Sequence, residues 1–290
     1  MSVVANGLSM GAIYGLIALG LTLIFGIMRI INFAHGALLM LAMMISYWLW
    51  AATGLSPYIL IIMVGPIMFI FGYVCELFLI KPVLDAQKEV REPVAVLLLT
   101  AALAIVLENG ALMLFGADYV MAHTSFSKAT LALGSVTVSA SRFYGLIIAL
   151  VAAGAFYLFL QRTQIGRNIR ATGQDRNAAS LMGINVPKTF AVAFGVGTAL
   201  LCVAAVVLIP FYYVHPSVGA VFMTKAFIVV VLGGLGSVPG ALLGGIIIGL
   251  IESIAAQYMA ATLTAMLVYL VFLLVLFVKP TGMFGSPYEW

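Results

Sequence analysis

The sequence predicts an all-α fold, a polytopic transmembrane helical bundle of eight or nine spans. Three observations predict it. The 290 residues are 64% hydrophobic and 8% charged, with a mean hydropathy of +1.23. Apolar runs of 18 or more residues recur along the whole length, and each can cross a bilayer as a helix. The strict alternation of polar and apolar residues that a membrane barrel needs is missing from these runs.

The apolar runs place the spans in order. They predict spans at 3–28, 34–52, 58–80, 93–116, 143–160 and 189–213. The stretch 218–278 holds two or three further membrane segments, interrupted by glycine and proline, and residues 223–245 decide between eight and nine. We expect one transmembrane domain over 1–290, with the first run retained as a span and not cleaved as a signal peptide.

The cations predict the orientation. Loops 81–92 and 162–188 hold eight of the thirteen Lys and Arg residues, and cytoplasmic loops carry the excess of these residues. Two spans cross between the loops, so both lie on the cytoplasmic side. Arg29 and a C-terminus marked by Lys279 are then cytoplasmic, and the N-terminus is outside; for a bacterial inner-membrane protein, as the resemblance given below implies, that side is the periplasm. The net charge of +4 reflects this topology, so we expect a lipid bilayer as surroundings and no nucleic acid partner.

The most informative segment is the basic loop 162–188. Its pattern predicts that 165–171 extends the preceding helix and that Thr172-Gly173 breaks it. Asp175 is a plausible N-cap, because its carboxylate can accept hydrogen bonds from the free amides of the next turn. A short helix over 176–182 then follows.

The same loop has clear end signals. Gly183 suits the position after a helix C-terminus, and Asn185 with Pro187 opens the next span. A helix of two turns is marginal alone, so something packs on it. Two interpretations stay open: a docking helix for a cytoplasmic subunit, or a basic loop resting on anionic lipid headgroups.

Two breaks interrupt apolar regions in the two halves of the chain, and paired breaks point to a transport site. One is the Asn-Phe-Ala-His-Gly stretch at 32–36, and the other is the glycine-rich element 231–249. The alternatives are structural. Polar side chains of the first break can satisfy freed backbone amides, and glycines spaced by four can serve only close helix packing. The candidate pathway residues are Asn32, His35, Gly36, Gly233, Gly234, Gly236 and Glu252.

Four ionisable residues lie in or near apolar runs, where charge is expensive and usually faces the bundle interior. Glu252, at the middle of its run, is the functional candidate, and Glu108 also lies well inside one. Glu76 is nearer an end and is expected to pair with Lys81 or to reach the interface. Lys225 is expected to snorkel outward.

Catalysis finds little support. Cys75 and Cys202 lie inside apolar runs and are interpreted as core residues. His35, His123 and His215 show no metal-ligand spacing. The sequence contains no H-E-x-x-H and no G-x-x-x-x-G-K-[ST] phosphate loop, and its one G-x-S-x-G match, at 7–11, lies inside the first apolar run. We predict no catalytic residue, metal or cofactor, and no ATP site of the phosphate-loop kind.

Four stretches carry a resemblance over nearly the full length: 11–36, 165–186, 225–252 and 279–285. The Asn-Phe-Ala-His-Gly signature and the pattern GR-x-x-RA followed by AS-x-x-GI are fairly specific. The chain resembles the inner-membrane permease of branched-chain amino acid ABC transporters, the first of two paralogous permeases. More weakly, the glycine-rich segment is similar to that of ribose-type sugar permeases.

The resemblance implies an importer made of two paralogous permeases, two cytoplasmic ATPase subunits that hydrolyse ATP, and a periplasmic solute-binding protein. It implies a bacterial inner-membrane protein that moves branched-chain amino acids or a related small polar or carboxylate solute. It also implies that 166–184 couples to an ATPase. The coupling residues carried over are Gly166, Arg167, Arg170, Ala171, Asp175, Ala179, Ser180, Gly183 and Ile184.

Two other classes stay open. A secondary carrier or channel would use Glu252 or Glu108 as a proton or ion relay, and would need no nucleotide. A membrane enzyme would need a polar cluster that these residues do not assemble.

Overall fold

The computed structural model describes residues 2–86, 94–124, 129–133 and 136–285, with the backbone alone at 131–133 and 136–138. Its helices are α1 (Ser2–Met28), α2 (His35–Thr53), α3 (Leu60–Cys75), α4 (Lys81–Ala86), α5 (Val94–Phe115), α6 (Ala140–Arg162), α7 (Gln164–Gln174), α8 (Arg176–Leu181), α9 (Val186–Leu208), α10 (Val218–Gly233), α11 (Val238–Tyr258) and α12 (Ala261–Val278). A 3₁₀ turn (Pro57–Ile59) leads into α3, and a π turn (Glu76–Ile80) joins α3 to α4. Strands β1 (Thr130–Leu133) and β2 (Val136–Ser139) form an antiparallel hairpin.

The predicted helical bundle is confirmed. Over the described ranges, eight helical stretches are long and apolar enough to cross a membrane. The ninth candidate, α10, has 16 residues and spans about 24 Å at 1.5 Å per residue. That is shorter than a bilayer core of about 30 Å. The segment 223–245 is therefore neither one full span nor a loop, because it contains the end of α10, a break and the start of α11.

Helix α1 is the centre of the bundle. All its residues from Gly11 to Ile24 are buried, and it contacts α6, α7, α9, α10 and, most extensively, α11. A helix that is apolar on every side belongs in an interior. By contrast, only 17% of the most apolar window of α5 and 11% of that of α12 are buried, so these helices lie at the periphery.

Glycines bring α1 and α11 into close antiparallel contact. A Cβ on Gly11 would lie 2.7 Å from Ile246 Cα and 2.8 Å from the Gly245 carbonyl oxygen. A Cβ on Gly7 would lie 3.0 Å from Leu250 Cα. The glycine spacing of α11 thus has its packing explanation, and its partner is a matching stripe on α1.

Helix α2 begins inside the bundle and not at its edge. Arg29, with φ of 53°, turns the chain after α1. The chain then runs back, and the ring nitrogen His35 Nε2 lies 2.9 Å from the carbonyl oxygen of Ile17. Because Ile17 is near the middle of α1, α2 starts level with the middle of the bundle.

The two ends of the bundle differ in charge. Arg29, Lys81 and Arg176 line one cleft, together with the start of α9. Residues 279–284 lie at the same end, because Met283 and Phe284 donate to the carbonyls of Leu232 and Gly233. We call this the basic end. At the opposite end, Val120 and Val214 form a β-bridge.

Three local predictions were wrong. Helix α6 stops at Thr163, so 165–171 does not extend it, and α7 runs unbroken through Thr172-Gly173. Helix α6 ends here because the side chain of Thr163 caps the start of α7. The hairpin within 117–142 was not predicted. Glu76 is fully buried and, over the described ranges, has no hydrogen-bond partner for either carboxylate oxygen, so it does not pair with Lys81.

Candidate coupling and translocation sites

Side-chain caps shape the segment between α6 and α9. Thr163 Oγ1 accepts from the Gly166 amide at 2.9 Å and starts α7. Asp175 Oδ1 accepts from the amides of Asn177 and Ala178 at 2.8 and 3.0 Å, which confirms the predicted cap of α8. Gly183, with φ of 81°, ends α8 in the left-handed conformation that favours glycine. Asn185 Oδ1 caps α9 by accepting from the Lys188 amide.

The predicted coupling residues therefore lie together at the basic end, on two faces. Gly166 and Ala179 are buried, and Gly166 touches the backbone of Phe159 and Leu160 so closely that a Cβ would not fit. The outward face is polar in α7 and apolar at the end of α8, where Leu181 is 89% and Met182 83% exposed. Ala171 and Ile184 are half-buried, and the exposed residues are Arg167, Arg170, Asp175, Ser180 and Gly183.

Arg176 ties α8 to α1, and the sequence did not single it out as a site residue. Its guanidinium donates to the Met28 carbonyl at 2.5 Å and to the Ile27 carbonyl at 3.4 Å. These are carbonyls of the last turn of α1, where the helix dipole favours a cation. The guanidinium also lies 5.1 Å from the ring centroid of Phe190. Burial, together with the nearby charge of Arg29, lowers the pKa of Arg176.

A cavity of about 420 Å³ separates the coupling segment from the glycine-rich break between α10 and α11. Gly26 of α1, Arg170 and Gly173 of α7, and Gly236 with Pro239 are among its walls. The break has the irregular backbone that the sequence predicted, since Gly234 has φ of 101° and Gly236 of 84°. Gly26 of α1 lies between the two, because a Cβ on Gly173 would lie 2.9 Å from the Gly26 carbonyl oxygen and a Cβ on Gly26 3.5 Å from Gly236 Cα.

In the first break, Asn32 and His35 are buried, whereas Phe33 between them is 40% exposed. Asn32 Oδ1 accepts from the Ala34 amide at 3.1 Å, and His35 bonds the Ile17 carbonyl. Gly36 touches the backbone of Gly219 in α10 too closely for a Cβ. These contacts favour a structural role, because Asn32 satisfies a backbone amide at the start of α2 and His35 ties α2 to the middle of α1.

Glu252 lies in a different polar cluster, formed by α1, α10 and α11. Lys225 Nζ lies 2.5 Å from Glu252 Oε1 and donates to Tyr14 Oη at 2.7 Å. Lys225 thus turns inward, and its predicted outward snorkelling was wrong. Neither Lys225 nor Tyr14 was a predicted site residue. A sequence signal existed, because Lys225 and Glu252 are opposite charges in neighbouring membrane segments.

The predicted pathway residues do not meet at one point. Three contacts are spread along α10. Gly36 contacts the start of α10, and Lys225 in the middle of α10 pairs with Glu252. Gly233, at the end of α10, contacts Gly240. Helix α10 is therefore the element common to all three groups.

Comparisons with known proteins agree with this architecture. A family model described as branched-chain amino acid transport system, permease component, matches residues 3–276. The chain is 32% identical to the high-affinity branched-chain amino acid transport system permease protein LivH of Salmonella typhimurium strain LT2, over 97% of this chain and 94% of that protein. LivH of Escherichia coli strain K12 is 31% identical and BraD of Pseudomonas aeruginosa 30%, both over the same shares.

No solved structure matches this chain. The family match, together with eight helices able to span a membrane in the described residues, confirms the resemblance seen in the four sequence stretches.

Proposed function

This chain belongs to the family of branched-chain amino acid transport permease components, and we propose that it is a permease subunit of an ATP-binding-cassette importer. With a paralogous permease it forms the pathway for branched-chain amino acids or a related small polar or carboxylate solute. Two cytoplasmic ATPase subunits and a periplasmic binding protein complete the importer. The relatives are named as permeases of branched-chain amino acid transport systems, which supports this solute class.

One observation carries the proposal of an ATPase partner. Helix α8 has only six residues, yet it is capped at both ends and anchored to α1, and it ends in the exposed apolar side chains Leu181 and Met182. Neighbouring exposed apolar side chains on a polar segment are typical of a protein or membrane contact, and the position of this tip, beyond the end of α1, favours a protein. An ATPase that buries this tip would turn its own motion into motion of α8.

The path of that motion is supported by two connections. Arg176 links α8 to the end of α1, and the cavity wall at Arg170 and Gly173 faces the break at Gly236. Closure of the ATPase dimer pushes on 166–184, which shifts α1 and α10 and opens a central cavity between this chain and its paralogue. Alternation between outward and inward access is the mechanism that follows.

We place the protein in the bacterial inner membrane, with the N-terminus periplasmic and the C-terminus cytoplasmic. The excess of cations at the basic end supports this orientation. The opposite end then faces the binding protein. It offers Tyr119 and Tyr213, 67% and 56% exposed, and both are of a residue type enriched at protein interfaces.

The first test is affinity purification of the chain in mild detergent, with mass spectrometry of the proteins that accompany it. Co-purified ATPase subunits and a second permease would support the importer. A lone protein or a simple homo-oligomer would overturn it and favour a carrier driven through buried glutamates.

A second test concerns coupling. We expect replacement of Arg170 and Gly183 with alanine to uncouple ATP hydrolysis from uptake, because one residue lines the cavity and the other sets the end of α8. The matched control changes Arg162, which is exposed, and Gly154, which has open space around it. Unchanged uptake per ATP in the Arg170 and Gly183 variant would contradict this role of 166–184.

A further inference from the structure

The cluster of Lys225, Glu252 and Tyr14 has more binding capacity than the described residues use. An ammonium group has three donors, and Lys225 uses one on Glu252 Oε1 and one on Tyr14 Oη. Glu252 Oε2 is buried and, over the described ranges, accepts no hydrogen bond. One donor and one acceptor, of opposite charge and adjacent to each other, are thus left over.

The cluster is also reachable. The side chains of Lys225 and Glu252 are 22% and 29% exposed, although both stand on helices that are apolar enough to sit in a membrane. Lipid chains cannot solvate a partly exposed ion pair, so such pairs face the bundle interior or a water-filled cavity. The open side of the pair therefore faces the solute pathway or the second permease.

Aromatic rings lie beside the charges. The ring of Phe222 lies between those of Tyr14 and Tyr212, with centroid distances of 6.3 and 5.0 Å. Lys225 Nζ lies 4.7 Å from the centroid of the Tyr14 ring. The cluster thus combines two opposite charges with an apolar wall.

We propose that Lys225, Glu252 and Tyr14 form a recognition site for a zwitterionic α-amino acid with an apolar side chain. The α-carboxylate binds Lys225 and the α-ammonium binds Glu252 Oε1, the oxygen that Lys225 releases, so the solute replaces the ion pair with two new ones. The partly exposed ring of Tyr212 then receives the solute side chain, with the buried rings of Phe222 and Tyr14 behind it. This proposal rests on the proposed function. The charge pattern of the site indicates the class of solute that it binds.

Replacement of the Lys225–Glu252 ion pair by the solute gives a reason for the presence of two charges at this position. A buried ion pair rarely stabilises a fold more than well-packed apolar residues of similar volume. An interaction that a solute must break also keeps the site closed to ions that carry only one charge. An amine alone leaves Lys225 without its carboxylate, and a carboxylate alone leaves Glu252 without its ammonium.

The direct test needs no ATPase and no binding protein. Thr224 is exposed and adjacent to Lys225, whereas Cys75 and Cys202 are buried. In membranes carrying Thr224→Cys, we expect leucine to slow maleimide labelling, and isoamylamine and 4-methylpentanoate at equal concentration not to. Equal labelling rates with and without leucine, up to tens of millimolar, would overturn the site.

Uptake by the assembled importer separates recognition from a purely structural latch. Removal of both charges with Lys225→Met and Glu252→Gln should leave a latch-free but folded bundle, since loss of both partners of a buried pair is often neutral. We expect this double variant to lose leucine uptake by about tenfold or more, the scale of one charged hydrogen bond. Uptake near that of the wild type would show that the pair is only a latch.

A charge exchange provides the second variant. Lys225→Glu with Glu252→Lys restores an ion pair but reverses the orientation that the solute must adopt. If the ion pair only holds α10 against α11, this variant should regain full uptake. If the pair recognises the solute, uptake should stay impaired. If the wild-type complex moves no amino acid, the proposed function fails; protection of Thr224→Cys by leucine would still support the site.

Discussion

The guanidinium of Arg176 donates a 2.5 Å hydrogen bond to the backbone carbonyl of Met28, and so joins the first residue of α8 to the last residue of α1. The two residues are 148 positions apart in the chain. This bond connects the short exposed helix of the basic end to the central helix of the bundle. It is the most direct mechanical connection between the two in the described residues.

Loss of this bond should weaken coupling. We expect Arg176→Ala to retain the co-purified ATPase subunits but to lower the solute moved per ATP by about tenfold, the scale of a hydrogen bond to a charged group. Uptake and ATP hydrolysis in proteoliposomes measure this ratio. Arg162→Ala is the control, since Arg162 is exposed at the end of α6. A ratio equal to that of the wild type would mean that α8 acts on α1 by another route.

Bulk at the α1–α11 interface should destabilise the fold. Gly11→Val places a Cβ 2.7 Å from Ile246 Cα, so the two backbones must separate. Overpacking of this kind costs about 1–3 kcal/mol or more. We expect a lower midpoint of thermal unfolding in detergent.

The matched control for that change is Gly154→Val, because no atom lies within 4 Å of a Cβ at Gly154. The control should unfold at or near the wild-type temperature. Equal losses in both variants would indicate a general effect of valine in a helix, and not the close contact of α1 with α11.

Two substitutions of the α8 cap should lower helix stability by different amounts. Asp175→Ala removes the acceptor for two backbone amides and should cost about 1 kcal/mol of local helix stability. Asp175→Asn keeps a side-chain oxygen and should cost less. Amide hydrogen exchange over 176–181 is the measurement. Equal protection in the wild type and Asp175→Ala would show that α8 is held by its packing alone.

Cysteine labelling tests the orientation. Asp118→Cys lies exposed at the end opposite the basic end, and Ser180→Cys lies exposed at the basic end. With a membrane-impermeant maleimide we expect Asp118→Cys to react in intact cells and Ser180→Cys only in inverted vesicles. The native Cys75 and Cys202 are buried and provide an unreactive background. The opposite labelling pattern would reverse the proposed topology.

Sequence reasoning succeeded where local patterns decide the outcome. Span positions follow from hydrophobicity and length, because a backbone in lipid must satisfy its own hydrogen bonds. The caps at Asp175, Gly183 and Asn185 follow from short-range hydrogen bonding and from the conformational freedom of glycine. The same reasoning missed Thr163, because a helix break made by one threonine at the end of an apolar span resembles a continuous helix.

The candidate sites were predicted only in part. The predicted coupling residues form one stretch of chain, and the structure places them together at the basic end; their coupling role stays a prediction. The pathway residues come from distant parts of the chain, and their grouping along α10 depends on how three helices pack.

The sequence by itself determined the order of the membrane helices, the charge difference between the two ends and the short capped helix α8, and it left the number of spans at eight or nine. Each of these depends on residues near one another in the chain. Only the tertiary structure decided that Arg176 meets Met28, that the glycines of α11 face those of α1, and that Lys225 turns toward Glu252. Such contacts depend on which helices become neighbours, and hydrophobicity that is equal on all sides of a helix carries no information about its partners.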